Sequence, residues 1–229
     1  MTGRGTTPGA AAVRARLWDG PTRIVHWGLV VLIAFAWWAG EAGRMDWHRW
    51  AGYAVLGLLA FRLIWGFAGS ATARFASFVR GPAATLAYLR TLPRRAPSAV
   101  PGHNPLGAWS VLVILAVLIV QTVTGLFAVD VDGIESGPLS DRVSFDLGRQ
   151  FAHWHHLTFW ALEALVALHV AAVAFYLIYK RSNLVGPMVS GHGQFAQDPG
   201  LSFAPLWRAV LAAAVAVGIA WWAAKGFRV

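Results

Sequence analysis

Five long apolar stretches constrain this chain more than any other feature of its sequence. A helix needs about 20 apolar residues to cross the hydrocarbon core of a bilayer, and none of the stretches shows the two-residue alternation of a barrel strand. With 57% hydrophobic and 13% charged residues, the composition excludes a soluble enzyme, a disordered chain and a fibrous repeat. The sequence therefore predicts an all-α, multi-pass membrane protein. The predicted spans are Ile24–Gly40, Trp50–Gly69, Gly107–Val129, Leu157–Tyr179 and Ala204–Ala224.

The basic and acidic residues indicate the orientation of these spans. With the N-terminus in the cytoplasm, twelve Lys and Arg residues fall inside and six outside, as the positive-inside rule expects. The connection between the third and fourth spans is acidic and falls outside. The net charge of +9 is thus explained by membrane topology, and we expect no nucleic-acid partner. There are no cysteines, which excludes disulfides, iron–sulfur clusters and the covalent attachment of a c-type haem.

The chain divides into three regions. Residues 1–16 are expected to be a flexible cytoplasmic tail, and residues 17–181 a four-helix transmembrane core. Residues 182–229 hold a linker and an additional C-terminal transmembrane helix. Within the core, residues 70–105 alternate apolar groups with arginines, which favours a segment lying in the cytoplasmic interface, with a short helix opening at Pro82. An ordinary solvated loop is the alternative.

Four of the eight histidines share two depths in the predicted bundle. His155 and His169 are 14 residues apart on the fourth span, which places them ~21 Å apart along the helix and only ~40° apart around it. His26 opens the first span from the inside, and His48 opens the second span from the outside. Depth therefore pairs His26 with His169, here called the inner pair, and His48 with His155, here called the outer pair.

Two facing imidazoles inside a bundle favour haem iron over other metals. Haem iron takes two axial ligands on opposite sides of a wide apolar disc, whereas zinc usually takes four ligands. Gly28, Gly52 and Gly57 leave room for such a disc. The alternative is four unconnected histidines, each bonded to a neighbour or a lipid headgroup. We expect two haem sites, one above the other.

The expected roles of the other polar residues depend on where they lie relative to the two haem sites. Arg62 lies 14 residues after His48 and falls at the inner level, where a haem propionate would neutralise it; an arginine snorkelling to the boundary is the alternative. Glu163 is a proton carrier or, as we favour, a protonated and hydrogen-bonded carboxyl. Gln121, Thr122 and Thr124 are expected to bond other helices. His103 lies in a loop and is interpreted as structural.

The sequence resembles the bacterial cytochrome b561 and nickel-hydrogenase b-type cytochrome family over roughly Leu17–Met188. The resemblance is carried by four segments, one in each of the first four spans. By this resemblance the protein binds two b haems, and the family's ligand positions fall on His26, His48, His155 and His169. His153 and His156 are extra histidines that crowd one ligand. The segments are LWDGPTRIVHW, DWHRWAGYAVLGLLAFRLIWGF, GHNPLGAWSVLVILAVLIVQTVTGLF and HHLTFWALEALVALHVAAVAFYLIYKRSNLVGPM.

The resemblance implies an electron carrier of the bacterial inner membrane. It would connect membrane quinone with a periplasmic c-type cytochrome or another redox subunit, such as a hydrogenase or dehydrogenase, alone or within a homo-oligomer or larger complex. Two alternatives are a haem-bearing anchor of such a complex and a haem-free transporter or proton pathway. A ferric-reductase-like enzyme is disfavoured because the sequence has no nucleotide- or flavin-binding extension.

Overall fold

The computed structural model describes residues 12–95, 101–132, 134–226 and 228. Five long helices run through this part of the chain, and all five are long and apolar enough to cross a membrane. They confirm the predicted helical membrane protein. The helices are α1 (Gly20–Glu41), α2 (Met45–Ala68), α5 (Pro105–Phe127), α6 (Phe145–Ile178) and α8 (Leu206–Ala224).

Side-chain caps fix where three of these helices begin. Asp19 accepts a hydrogen bond from the backbone N–H of Thr22 at the start of α1, and Asn104 accepts one from Gly107 at the start of α5. Ser144 does the same for Leu147 at the start of α6. Helix α6 therefore begins 12 residues before the predicted span at Leu157. The first turns of α6 carry charged residues. The search for apolar spans therefore left these turns out, although charged residues are compatible with a helix.

The long helices pack as two groups that face each other. Helix α1 packs on α2, α2 packs on α8, and α5 packs on α6, with weaker packing between α2 and α5. The fifth span is therefore a helix of the bundle. Its alanines lie against α2, where a side chain at Gly57 would meet Ala220 and the backbone of Ala216. Close approach through small residues is usual between membrane helices.

An apolar layer closes the middle of the bundle between α2, α5 and α6. It consists of the buried residues Leu59, Leu115, Leu118 and Leu162. Leu162 is seven residues from both His155 and His169, so it lies on the same face of α6 as both histidines and halfway between them. This layer separates the two histidine levels.

A small sheet joins the two ends of the core. Strand β1 (Val13–Arg16) pairs antiparallel with strand β2 (His192–Phe195), with Val13 opposite Phe195. Residues 13–16 thus differ from the flexible tail expected there, because the ladder satisfies their backbone groups; residues 1–11 lie outside the described residues. The short helix α7 (Val185–Ser190) precedes β2, and the carbonyl of Gly191 accepts from Leu17 and Trp18.

The segment between α2 and α5 contains two short helices. Helix α3 spans Phe75–Phe78 and α4 spans Pro82–Leu89, so Pro82 opens a helix as predicted. Helix α4 is fixed to the bundle, because the hydroxyl of Tyr88 lies 2.7 Å from that of Tyr176 on α6. A 3₁₀ turn at Ser140–Arg142 follows α5 at the opposite end.

Candidate functional site

The outer pair joins the two halves of the bundle at one end. The rings of His48 on α2 and His155 on α6 have centroids 6.0 Å apart and planes at 80°. Both side chains are half-buried. The structure thus brings together the two histidines that depth predicted to meet.

A backbone carbonyl orients each imidazole of the outer pair. Nδ1 of His48 lies 2.8 Å from the carbonyl oxygen of Ala36 on α1, and Nδ1 of His155 lies 2.8 Å from that of Gln121 on α5. Because a carbonyl only accepts, each Nδ1 carries the proton and each Nε2 keeps its lone pair. Metal-bound histidines in proteins are held in this way.

Polar residues of α5 also contact His155. The Gln121 amide lies 3.2 Å from Nε2 of His155, and its oxygen accepts a 2.5 Å hydrogen bond from Thr158 on α6. Gln121 thus bonds another helix, as expected. Thr124 approaches Nδ1 of His155 at 3.4 Å. Thr122 was predicted wrongly, because its hydroxyl donates to the carbonyl of Leu118 on its own helix.

The inner pair lies at the opposite end, near the β1–β2 sheet. The rings of His26 on α1 and His169 on α6 have centroids 6.4 Å apart and planes at 54°. His26 also packs edge-on against Trp27. Unlike the outer imidazoles, His26 has a buried Nδ1 with no hydrogen-bond partner within the described residues.

Both ring separations fit two axial ligands of one metal ion. Imidazoles that bind one ion from opposite sides at metal–nitrogen distances of about 2 Å have ring centres roughly 6 Å apart. Among the described residues no group of three or more His, Cys, Asp or Glu side chains is placed to hold a metal ion. The donor sets therefore suit a group that takes two imidazoles and brings its other ligands itself, as haem does.

Arg62 is a buried cation next to the inner level. It is 8% exposed, packs over the ring of Phe75, and within the described chain makes one hydrogen bond, to the carbonyl of Ala73 at 3.3 Å. The nearby carboxylate of Asp19 already accepts from the Thr22 N–H and the Trp65 indole. Most of the guanidinium donors of Arg62 are thus available to an anionic ligand group.

His103, interpreted from the sequence as a loop residue, lies beside the inner level. Its ring packs against Trp18 and Phe78, with centroids 4.9 and 4.5 Å away. Burial, together with the nearby Arg62, His169 and His26, lowers the pKa of His103 to about 3. The imidazole is therefore neutral at physiological pH. The sequence signal was its place just before the Asn104 cap of α5, which fixes the loop against the bundle.

Three further ionisable residues of α6 are not members of either pair. His153 is exposed, and His156 is exposed and accepts a hydrogen bond from the Trp160 indole. Glu163 is exposed and makes no hydrogen bond to any described residue, so the expected hydrogen-bonded carboxyl is not observed.

Comparison with known proteins places this arrangement in a family. Prokaryotic cytochrome b561 matches residues 17–191, which include all four paired histidines. A probable Ni/Fe-hydrogenase B-type cytochrome subunit of Bradyrhizobium diazoefficiens is 26% identical over 215 residues, covering 78% of this chain and 85% of that protein. A protein of the same description from Rhodobacter capsulatus is 22% identical over 237 residues, covering 86% and 90%. No solved structure matches significantly. The chain belongs to the prokaryotic cytochrome b561 family of multi-pass membrane proteins, and is a membrane b-type cytochrome.

Proposed function

We propose that this protein carries electrons across the bacterial inner membrane through two b haems. The single observation that supports this proposal is the presence of two facing imidazole pairs at two levels of one bundle, with ring centroids 6.4 and 6.0 Å apart. Both levels share α6, and one helix face presents both histidines. A carrier that spans the membrane needs cofactors at two depths, and the two imidazole pairs would hold one cofactor at each depth.

Each proposed ligand is assigned to one haem. His26 and His169 would hold the inner haem, and His48 and His155 the outer haem. Held by two histidines, each haem would supply single-electron exchange and would not bind a substrate. The protein orients the ligands, and the leucine layer around Leu162 keeps the space between the levels apolar. Arg62 would donate hydrogen bonds to a propionate of the inner haem.

We further propose that the reaction partners lie on opposite faces of the membrane. Membrane quinone would react at one face, and a c-type cytochrome or a dehydrogenase- or hydrogenase-type subunit at the other. Two relatives are described as probable Ni/Fe-hydrogenase B-type cytochrome subunits, which supports a redox enzyme as the partner. The charge count supports a cytoplasmic N-terminus, and hence a periplasmic outer pair.

The acidic connection between α5 and α6 has less unpaired negative charge for docking a partner than its sequence suggests. Glu135 is paired with Arg49, and Asp141 is paired with Arg228. Asp132 and Asp146 are exposed and remain to attract a basic partner. We expect electron exchange with such a partner to slow as ionic strength rises; an unchanged rate would argue against charge-guided docking.

A haem count on purified variants tests the proposal. The parent protein should contain two haems, and His26→Ala and His155→Ala should each contain one, with different spectra. His156→Ala is the matched control, because this histidine neighbours His155 but faces away; it should keep both haems.

Three results would contradict parts of the proposal. Colourless parent protein would favour a haem-free transporter. Loss of both haems from every single variant would leave no support for the pairing. Two haems that quinol does not reduce would favour a haem-bearing anchor of a larger complex.

A further inference from the structure

We propose that Gly40 and Gly125 are positioning residues for the outer haem. Each glycine lets an imidazole of the outer pair reach a backbone carbonyl on the neighbouring helix. This inference rests on the proposed function, since it concerns how His48 and His155 are presented to the haem iron.

The space above each glycine is taken by an imidazole ring. A Cβ atom at Gly125 would lie 2.8 Å from Cε1 and 3.0 Å from Nδ1 of His155. A Cβ atom at Gly40 would lie 3.2 Å from Nδ1 of His48. The first contact is too short to be tolerated without movement of the ring, and the second requires a smaller shift. Any side chain at either position would therefore displace the imidazole.

The two glycines occupy equivalent positions relative to the accepting carbonyls. Ala36, whose carbonyl lies beside Nδ1 of His48, precedes Gly40 by four residues, and Gln121 precedes Gly125 by four. In an α-helix the carbonyl of residue i lies beside the N–H of residue i+4, so a glycine there exposes this carbonyl to a neighbouring ring. We call this pairing the carbonyl–glycine motif. It occurs once on α1 and once on α5, which serve different histidines.

The motif is specific to the outer pair among the paired histidines. Nδ1 of the inner imidazole His26 has no hydrogen-bond partner among the residues that the structure describes, and the nearby glycine of α1, Gly28, faces Leu58 instead. Gly218 on α8 has no such role, since a Cβ there would meet no described atom within 4 Å. Neither Gly40 nor Gly125 has a positive φ, so backbone conformation does not require glycine at these two positions.

The motif has an electronic consequence for the haem. A hydrogen bond from Nδ1–H to a carbonyl raises the basicity of the ligating Nε2, which favours the ferric state. Weakening this bond is expected to raise the midpoint potential of the outer haem. Turning the ring is expected to change the low-spin signal of the ferric iron. The inner haem has no such bond at His26 and would be unaffected.

The experiment compares Gly125→Ala, Gly40→Ala and the control Gly218→Ala in the full-length purified protein. Haem content, the electron paramagnetic resonance spectrum and potentiometric titration are measured for each, and His48→Ala identifies which signal belongs to the outer haem. We expect two haems in Gly125→Ala, with a moved signal and an upward shift in potential for the outer haem alone. Gly40→Ala should show a smaller shift, and Gly218→Ala none.

The outcomes separate this inference from the proposed function. Unchanged signals and potentials in Gly125→Ala, with both haems present, would overturn the inference. Loss of both haems together would also overturn it, because it would show a general packing role. Loss of the outer haem alone would support it, since ligation then depends on the motif. A parent protein without haem, or His48→Ala with both haems, would instead contradict the proposed function.

Discussion

The outer and inner imidazole pairs have similar ring separations but different surroundings. At the outer pair, backbone carbonyls of α1 and α5 fix both rings, and Arg49, the residue after His48, is paired with carboxylates. At the inner pair, no described residue bonds Nδ1 of His26, and Arg62 lies nearby without a carboxylate partner in the described part of the chain. Fixed backbone dipoles would thus tune the proposed outer haem, whereas a buried charge would tune the inner one. Two haems of one chemical type would acquire different potentials from these two environments.

The largest expected effect concerns the layer that keeps the two levels apart. Leu162 is 2% exposed, and Leu162→Ala removes its contacts with α2 and α5. We expect a loss of about 2–5 kcal/mol in the free energy of unfolding, measured as a lower thermal midpoint in detergent. The control is Leu168→Ala, since Leu168 is 66% exposed on the same helix. Equal midpoints for the two variants would show that the packing of Leu162 in this layer does not stabilise the bundle.

The second prediction concerns the third imidazole of the inner level. The pKa of His103 falls from 6.5 to about 3 on folding. Between pH 6.5 and pH 3, the unfolded chain therefore binds a proton at His103 that the folded chain does not bind. Stability therefore decreases as pH falls below about 6.5, with a slope of up to ~1.4 kcal/mol per pH unit. His103→Gln should reduce this acid dependence of the thermal midpoint. An identical pH profile in parent and variant would argue that His103 is accessible to protons in the folded protein.

The third prediction tests the unpaired charge at the inner site. A cation near a haem favours the reduced form, so Arg62→Gln should lower the potential of the inner haem. A charge-assisted interaction of about 1–3 kcal/mol corresponds to roughly 40–130 mV for one electron. Arg62→Lys keeps the charge and should show a smaller decrease. Redox titration measures both, and a shift confined to the outer haem would contradict the assignment of Arg62.

The sequence was sufficient to predict what depends on the geometry of a single helix. The 14-residue spacing of His155 and His169 gives both their shared face and their separation, and the entry side of each span gives the depth of His26 and His48. Apolar runs predicted the five spans. They underestimated the length of α6, because Asp146 and Arg149 lower the hydropathy of its first turns, which are nevertheless helical.

Features that depend on the register between distant segments could not be predicted. Strands β1 and β2 are four residues each and lie far apart in the chain, so neither carries a pattern of its own. The approach of Gly125 to His155 depends on how α5 sits against α6, which no periodicity specifies. His103 was interpreted as a loop residue because composition does not show that a loop folds back onto the bundle.

The smallest expected effect compares the two arginines. Arg49 is bonded to Asp46 at 2.5 Å and to Glu135, and both carboxylates are partly exposed. Its charge is therefore neutralised locally and screened by water, so Arg49→Gln should cost only about 0.2–1 kcal/mol of stability. The potential of the outer haem should hardly move, because the substitution leaves behind two carboxylates that water already solvates. If Arg49→Gln shifts the outer potential as far as Arg62→Gln shifts the inner one, pairing does not distinguish the two arginines, and the contrast between a charge-tuned and a backbone-tuned site fails.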